Sequence, residues 1–269
     1  MTSRPPFSDT EVIRRCFDTN RQVLSGVTSG NYVIKLSETV VVKFGKGVSL
    51  GEADNQIKAF ELLNRTVVRV PRVYRYFEHS GEGAVLMGFL VMEYIHGEII
   101  ESPNRTQINQ IASMVSRFAH IQNQRPGSLQ GGASRGLLWG ENREPAFRTV
   151  DQMERWLNLR LPDVTSTKLS IRKYPLVLCH LNLAPRNILW LPDGSNCLLD
   201  WASAGFYPRF FEVCMLKITE HSHGDYETAL QQQMEQLPDD EKSQMLLLSQ
   251  SFYNSTKHSF VHPSLFFSG

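Results

Sequence analysis

The stretch Val177-Leu-Cys-His-Leu-Asn-Leu-Ala-Pro-Arg-Asn-Ile-Leu-Trp190 and the short run Leu198-Leu-Asp-Trp201 decide the fold of this 269-residue chain. Between them lies Pro192-Asp-Gly194, a turn signal that predicts a β-hairpin formed by the apolar residues on either side. The strands of this hairpin are expected at Ile188–Leu191 and Cys197–Asp200. The stretch therefore predicts a polar segment that leads directly into a hairpin.

Four polar residues of this stretch have a spacing that suggests chemistry: His180, Asn182, Asn187 and Asp200. Transfer of a phosphoryl group requires a side chain at the acceptor hydroxyl and oxygen ligands for the metal ions at the nucleotide phosphates. In enzymes of the kinase type, a loop with the consecutive residues His-Arg-Asp is followed at a fixed distance by Asn, and a second Asp comes from the next hairpin. Residues 180, 182 and 187 have that spacing, and Asp200 follows on the predicted returning strand.

The remainder of the chain predicts a sheet-rich part followed by a mainly helical part. Runs of β-branched and aromatic residues predict strands at Tyr32–Leu36, Thr39–Phe44, Val73–Phe77 and Val85–Met92. Apolar residues at helical intervals predict helices after the capping box Ser8–Glu11, at Glu52–Leu63 (through Ile57, Phe60 and Leu63), at Thr106–Gln122, at Val150–Leu161 and over most of 209–252. The loop 125–140 and a join near Met92–Gly97 complete the pattern. We expect an α+β fold with one domain over residues 1–95 and a second over 96–269.

Composition and charge argue against several functional classes. The chain has 28 Lys and Arg against 27 Asp and Glu, and the net charge of +1 gives no general reason to expect a nucleic acid partner. The longest apolar stretch, Ala84–Met92, is too short to span a bilayer, and the N-terminus lacks the apolar run of a secretory signal. We therefore expect no membrane partner and a cytoplasmic location. The four cysteines show no Cys-x-x-Cys spacing.

These motifs together resemble the aminoglycoside phosphotransferase and choline-kinase-like small-molecule kinases, particularly the fungal members. That family carries His-Gly-Asp-x-x-x-x-Asn followed by Ile/Leu-Asp-Trp, which corresponds to residues 180–187 and 199–201. Other segments that match in order are Val41–Phe44, Gly51–Ala53, Pro71–Tyr74, Met92–Gly97 and Gly205–Glu212. The order and spacing of all these motifs carry the resemblance.

The resemblance implies a bilobal, protein-kinase-like fold with a small antiparallel-sheet lobe and a larger, mainly helical lobe. It also implies ATP and Mg²⁺ as cofactors in the cleft between the lobes, and a small-molecule substrate. By resemblance, Lys43 contacts the nucleotide phosphates and pairs with Glu52, because a point charge suits phosphate oxygens. Asn187 and Asp200 would hold Mg²⁺, a cation that prefers oxygen ligands.

Three further roles follow from the same resemblance. The backbone from Glu93 to Ile95 would meet the edge of the adenine ring. His180 would orient the catalytic loop, and residue 182 would face the acceptor hydroxyl. The acceptor itself would lie against loops 125–145 and 202–225 of the helical lobe.

The catalytic loop departs from the family pattern at two positions. Residue 182 is Asn where the family has Asp, and residue 181 is Leu where the family has Gly. A neutral amide cannot take up the proton of the acceptor hydroxyl, although it can hydrogen-bond to it. General-base catalysis is typically worth about 10²–10⁴ in rate, while positioning and metal electrostatics supply much of phosphoryl transfer. The predicted phosphate loop, Ser25–Gly30, also has only two glycines.

The sequence leaves three functions open. The first is an ATP- and Mg²⁺-dependent kinase of a small hydroxylated molecule, weakened or atypical because of Asn182. The second is a pseudokinase that binds nucleotide or a small ligand without transfer, and the third is an enzyme that uses the cleft for other chemistry with the Asn182 amide as a donor. Retention of Lys43, Glu52, Asn187 and Asp200 favours the first two, because a cleft without nucleotide has no need for all four. The sequence defines neither the acceptor nor the oligomeric state.

Two further features have an ordinary structural interpretation. The segment His221-Ser-His-Gly-Asp225 contains two histidines but no third ligand at a defined position, so a surface loop is favoured over a metal site. The aromatic residues Phe260, Phe266 and Phe267 predict a C-terminal tail that docks on the helical part.

Overall fold

The structure is a computed structural model that describes residues 7–26, 30–80, 85–140, 144–162, 167–220 and 222–257. Part of the predicted phosphate loop, His221 and the three C-terminal phenylalanines lie outside the described residues. The chain divides into two compact units, the first formed by Met1–Glu98 with Leu189–Asp200 and the second by Ile99–Ile188 with Trp201–Gly269. The division into domains 1–95 and 96–269 stays a prediction.

The described residues form an α+β structure, as predicted. The helices are α1 (Asp9–Cys16), α2 (Leu50–Leu62), α3 (Arg105–Phe118), α4 (Val150–Asn158), α5 (Phe210–Ile218), α6 (Tyr226–Gln233) and α7 (Asp239–Lys257). The strands are β1 (Gln22–Ser25), β2 (Asn31–Lys35), β3 (Val40–Gly45), β4 (Val73–Ser80), β5 (Leu86–Glu93), β6 (Glu98–Ile99), β7 (Gln122–Asn123), β8 (Gly127–Ser128), β9 (Leu176–Cys179), β10 (Ile188–Trp190), β11 (Asn196–Leu198) and β12 (Gly205–Tyr207). No helix among these is long and apolar enough to cross a membrane.

The first unit is built on a five-stranded antiparallel sheet in the order β1-β2-β3-β5-β4. The four strands predicted from β-branched and aromatic runs are all present. Strand β1 was not predicted, because its four residues are all exposed and its sequence lacks an apolar alternation. The central strand β3 is buried on both faces, which explains why its apolar residues occupy consecutive positions around the single charged residue, Lys43.

Helix α2 begins at Leu50, two residues before its predicted start at Glu52, and its buried face differs from the one that the apolar pattern marked. The hydroxyl of Ser49 accepts a hydrogen bond from the Glu52 N–H and caps the helix. Ile57, one of the residues that defined the predicted pattern, is 37% exposed. The buried positions are instead Glu52, Ala53, Asn55, Gln56 and Ala59. A largely polar face is therefore buried, and such a face requires partners within the fold.

The second unit contains α3 to α7 and a four-stranded sheet in the order β7-β9-β12-β8. Its core includes fully buried aromatic rings that contact one another, among them Trp139, Phe147, Tyr207 and Phe211. The predicted loop 125–140 contains β8 and a short 3₁₀ turn at Leu137–Trp139, which brings Trp139 into this core. The predicted helical region 209–252 corresponds to α5, α6 and most of α7.

Candidate active site

The position of Lys43 follows from the alternation of side chains along β3. Val40, Val42 and Phe44 belong to one buried cluster together with residues of α1. Lys43 is on the opposite face, which it shares with Val41 because residues two apart on a strand point the same way. Val41 belongs to a different buried cluster that includes Ala53 of α2. The strand therefore directs Lys43 toward α2.

Glu52 meets Lys43 from the first turn of α2. Its side chain is almost completely buried, and its Oε1 accepts a hydrogen bond from Lys43 Nζ at 2.5 Å. The Ser49 cap fixes where the helix begins and so fixes the position of Glu52 relative to the strand. The Lys–Glu pair predicted from two separate motifs is thus present in the structure.

Asp200 reaches the same lysine from the end of the β10–β11 hairpin. Its Oδ1 accepts a hydrogen bond from Lys43 Nζ at 2.9 Å. The residue has a positive φ of 63°, in the left-handed region that non-glycine residues seldom adopt. Two backbone hydrogen bonds, from Arg69 N to Asn196 O and from Leu198 N to Arg69 O, hold strand β11 against Arg69 within the first unit. These contacts position the carboxylate at Lys43.

The two carboxylates determine the charge of the lysine. Burial alone would lower the pKa of Lys43, but attraction to Glu52 and Asp200 outweighs burial and raises the pKa above its ordinary value. Lys43 is therefore an ammonium ion throughout the physiological range. A buried ammonium held between two acidic groups is a fixed point charge of the kind that binds phosphate oxygens.

The catalytic loop of the second unit follows β9 and is anchored by a buried carboxylate on α5. The two side-chain oxygens of Glu212 accept hydrogen bonds from the N–H of His180 at 2.6 Å and from the N–H of Leu181 at 2.9 Å. Desolvation raises the pKa of Glu212 to about 7, although both backbone donors act in the opposite direction. The loop is thus held at its base by one titratable side chain.

His180 is completely buried at the start of this loop. Its ring packs edge-on against Trp201 with 4.8 Å between the ring centroids. This packing and the backbone hydrogen bond to Glu212 fix the residue on both sides. The role of His180 in orienting the loop stays a prediction.

Leu181 has a backbone conformation that suits glycine. Its φ is 60°, in the left-handed region, where a Cβ atom costs about 1–2 kcal/mol. The side chain is nonetheless buried, with 3% of its surface exposed. The loop therefore keeps the backbone geometry for which a glycine is better suited, and burial of the leucine side chain offsets the strain.

Asn182 and Asn187 are linked across the loop. Asn187 Nδ2 donates a hydrogen bond to the backbone carbonyl of Asn182 at 2.9 Å. Asn187 itself is almost buried in the short 3₁₀ turn Pro185–Asn187. Since the amide nitrogen is used within the loop, the oxygen of Asn187 is the atom that remains for a ligand.

Asn182 lines a cavity of about 310 Å³ in the second unit. Apolar side chains form much of the wall, including those of Leu137, Leu183 and Met215, and Ser203 contributes a hydroxyl group. The residues come from both loops that were expected to shape the acceptor site, 125–145 and 202–225. A volume of this size accommodates a small molecule.

The segment expected to meet adenine begins at the end of β5. The N–H groups of Glu93 and Tyr94 donate to the carbonyls of Arg72 and Thr39. The Glu93 carboxylate accepts from Arg69 Nη2 at 2.6 Å, and Ile95 is buried. The N–H groups of Glu93 and Tyr94 are therefore occupied within the first unit. This narrows the predicted adenine contact to the carbonyl groups and to the backbone of Ile95.

A strand lysine paired with a helix glutamate, an aspartate that follows a hairpin, and a loop with a fixed Asn are the parts of a kinase-type phosphotransferase. The sequence pattern of the phosphotransferase enzyme family matches residues 19–242. The chain belongs to this family, and its bilobal, kinase-like α+β fold is that of the family. The comparison with curated proteins gives no match.

Solved structures of aminoglycoside phosphotransferases have the same fold. Aminoglycoside phosphotransferase APH(4)-Ia aligns with a TM-score of 0.57 and 11% identity over 92% of this chain and 88% of that chain. A thermostable mutant of that enzyme, in a ternary complex with AMP-PNP and hygromycin B, aligns with a TM-score of 0.56 and 11% identity over 93% of this chain and 90% of that chain. The GDP complex of aminoglycoside 2'-phosphotransferase-IIIa aligns with a TM-score of 0.53 and 16% identity over 91% of this chain and 88% of that chain. At these identities the likeness supports the fold alone.

Sequence reasoning identified Lys43, Glu52 and Asp200, which the structure brings together, but it gave no role to Glu212. The residue stood in the quoted segment Gly205–Glu212, and a lone carboxylate in the apolar first two turns of a helix was the available signal. Such a residue is almost never buried without partners, so its position predicts a polar contact inside the fold. The sequence does not show that the partners are backbone N–H groups of the catalytic loop.

Proposed function

We propose that the chain transfers the γ-phosphoryl group of ATP to a hydroxyl group of a small molecule, in a weakened or atypical form of the family's reaction. The observation that carries the proposal is the contact of Lys43 with both Glu52 and Asp200. Three distant parts of the sequence converge on one ammonium group. A fold that has no use for phosphate gains little from this arrangement, because burying charged groups is costly.

In this proposal Lys43 binds the α- and β-phosphates, and Glu52 fixes the direction of its side chain. Glu52 is deeply buried and Asp200 is partly exposed, with 29% of its side chain accessible. Nucleotide phosphates therefore compete for Lys43 with Asp200 more readily than with Glu52. The partly exposed Asp200 carboxylate is therefore the one that we propose as a metal ligand.

The residues proposed for Mg²⁺ offer the atoms that this ion prefers. Asp200 supplies a carboxylate, and Asn187 supplies an amide oxygen because its nitrogen is bonded to the Asn182 carbonyl. The donor set is thus oxygen from both residues, which fits Mg²⁺. When bound, Mg²⁺ neutralises charge that develops on the transferring phosphoryl group.

The acceptor in this proposal is a small molecule bound in the cavity beside Asn182. The ternary complex of the APH(4)-Ia mutant contains hygromycin B, and by analogy this chain takes a hydroxylated compound. The Asn182 amide orients the acceptor hydroxyl by a hydrogen bond but does not remove its proton. Positioning and phosphate electrostatics then supply the rate enhancement that remains.

A second candidate is a pseudokinase that binds nucleotide without transferring a phosphoryl group. Asn182 favours this function, because the residue that takes up the proton in the family is absent from the loop. The proposed nucleotide-binding residues would be the same, and the protein would act through the bound state. Other chemistry in the same site is favoured least, because it gives no role to the contacts of Lys43 with Glu52 and Asp200, the group called here the Lys43 cluster. A cytoplasmic location remains a proposal in either case.

The experiment that tests the proposal is an assay of ADP release with MgATP and a panel of hydroxylated small molecules that includes hygromycin B. We expect turnover with at least one acceptor and a loss of about 100-fold or more in Lys43→Met, since a phosphate contact is removed. Lys58→Met is the matched control, because Lys58 lies on the same helix as Glu52 and forms an ion pair with the exposed Glu61.

Two results would redirect the assignment. Binding of MgATP without turnover on any acceptor would support the pseudokinase. An activity that needs no ATP and survives in Lys43→Met would contradict both nucleotide-based functions and support other chemistry in the same site.

A further inference from the structure

A histidine, a buried glutamate and an arginine form a hydrogen-bonded chain in the second unit, near the loop that carries Asn182. His223 Nδ1 lies 2.5 Å from Glu227 Oε1, and His223 Nε2 lies 2.9 Å from Arg186 Nη1. Glu227 is on α6, four residues after His223, and Arg186 belongs to the catalytic loop. Ser222, Gly224 and Asp225 of this segment are exposed, while His223 is partly buried and hydrogen-bonded.

The two contacts of His223 fix its tautomer. A guanidinium group has only donors, so its contact with Nε2 requires the lone pair of that nitrogen. The ring proton consequently lies on Nδ1 and is donated to the Glu227 carboxylate. In this arrangement His223 Nε2 is a hydrogen-bond acceptor that is directed away from the glutamate and is occupied by Arg186.

Burial distinguishes this arrangement from a surface ion pair. The Glu227 side chain is 2% exposed and that of His223 is 24% exposed. The second oxygen of Glu227, Oε2, is buried without a hydrogen-bond partner among the described residues. A carboxylate that is buried behind an imidazole orients the ring and stabilises its protonated form, as in the Ser-His-Asp triad.

The same cavity connects this pair with the acceptor site. His223, Glu227, Arg186 and Asn182 all line the cavity of about 310 Å³. A hydroxyl compound bound beside Asn182 therefore shares its pocket with a basic nitrogen. The loop lost its carboxylate at residue 182, but the pocket has kept a group that can take up a proton.

We propose that His223 is the general base of this enzyme and that Glu227 is its positioning residue. The inference rests on the proposed phosphotransfer function. In the step, the acceptor O–H gives its proton to His223 Nε2 and its oxygen forms a bond to the γ-phosphorus of ATP. The bond between that phosphorus and the β,γ-bridging oxygen breaks, ADP leaves with the electron pair, and the imidazolium later returns the proton to water.

The charged groups that face His223 are consistent with this step. Arg186 comes from the catalytic loop, is exposed, and must give up its contact with Nε2 when the acceptor hydroxyl binds. Glu227 comes from α6 and stays in place because it is buried. Glu212 of α5 also lines the cavity, but its oxygens are used by the N–H groups of His180 and Leu181. The Tyr226 ring stands edge-on at 6.5 Å, and its hydroxyl donates to Leu183 O.

The test uses the full chain with MgATP and water as the acceptor, and it measures ADP release. We expect His223→Ala to lower kcat by about 100-fold or more, which is the usual worth of a general base. Added imidazole should restore a measurable part of the lost rate, because the cavity has room for it. Glu227→Gln should lower kcat less, by about 10-fold. His120→Gln, an exposed histidine elsewhere in the second unit, should behave as the wild type.

Nucleotide binding separates a base from a structural residue. Calorimetry should give the same Kd for MgATP in both proteins. If the wild type does not bind MgATP, the proposed function itself fails. If MgATP binds and His223→Ala releases ADP as fast as the wild type, or the wild type releases none, only the inference on His223 is contradicted.

Discussion

Residue 181 shows how one backbone angle links a family pattern to stability. The family's glycine is replaced by leucine, yet the φ of 60° is still the left-handed conformation that glycine adopts without cost. We expect Leu181→Gly to be more stable than Leu181→Ala by about 1 kcal/mol, because both lose the side chain but only glycine relieves the strain. Elsewhere in proteins alanine is usually the more stable of the two by about 0.5–1 kcal/mol.

Urea unfolding of both Leu181 variants measures this difference. Leu183 provides the matched control, since it is equally buried, with 3% exposed, and its φ is not positive. There the alanine variant should be the more stable one. The same order at both positions would show that the angle at residue 181 is not strained.

Asn182 is the residue at which the catalytic and non-catalytic hypotheses diverge. Asn182→Asp places a carboxylate at the acceptor hydroxyl with little change in volume, so turnover measured as ADP release should rise by about 100-fold in a weakened kinase. Asn123→Asp is the control, because the Asn123 side-chain oxygen is already an acceptor of two backbone N–H groups and the change adds only charge. An ATP-independent native activity that falls in Asn182→Asp would contradict the kinase proposal.

At the scale of elements, helix α5 couples the catalytic loop to pH through Glu212. The pKa of Glu212 in the folded protein, about 7, exceeds the value of 4.5 for an ordinary glutamate. Between pH 4.5 and about pH 7 the folded state therefore binds more protons than the unfolded state. The free energy of unfolding should therefore rise as pH falls from about 8 to about 5, by up to about 3 kcal/mol from this group.

Comparison of the wild type with Glu212→Gln isolates this contribution. The glutamine variant cannot titrate, so the difference in unfolding free energy between the two proteins should change with pH in the stated direction. Glu61→Gln, which removes a paired carboxylate that is 55% exposed, serves as the control for loss of charge. A difference that is constant between pH 5 and 8 would show that Glu212 does not titrate in this range.

The elements also show where sequence reasoning reached its limit. The strands β2 to β5 were predictable because β-branched runs bounded by polar turns are typical of strands. The buried face of α2 was not predictable, because the helix buries Asn55 and Gln56 while Ile57 is 37% exposed. The Gln56 side chain donates to Pro71 O at 2.8 Å, a contact that depends on a loop fifteen residues away. Burial of polar groups follows from such tertiary partners and leaves no periodic signal.

At the scale of the whole chain, the family and its fold were predictable because several short motifs occur in a fixed order. The Lys43 cluster was also predictable, since each member lies in one of those motifs. Glu212 as the loop anchor and the contacts of Arg69 with the hairpin were not, because they are side-chain-to-backbone and backbone contacts between distant segments. Because almost every residue has the same backbone N–H and C=O groups, the sequence does not show which of them a side chain contacts.

The most direct test of nucleotide-dependent phosphotransfer is calorimetric titration of the full chain with MgATP, accompanied by thermal unfolding. We expect saturable binding and a higher Tm, with a stabilisation of about 2.7 kcal/mol at a hundredfold excess over Kd. Asp200→Ala should abolish this binding, and Asn187→Ala should weaken it less, because a charged metal ligand is lost in the first and a neutral one in the second. Asp193→Ala, in the turn of the same hairpin, should bind as the wild type. Absence of MgATP binding, or equally tight binding by Asp200→Ala, would contradict the proposed function.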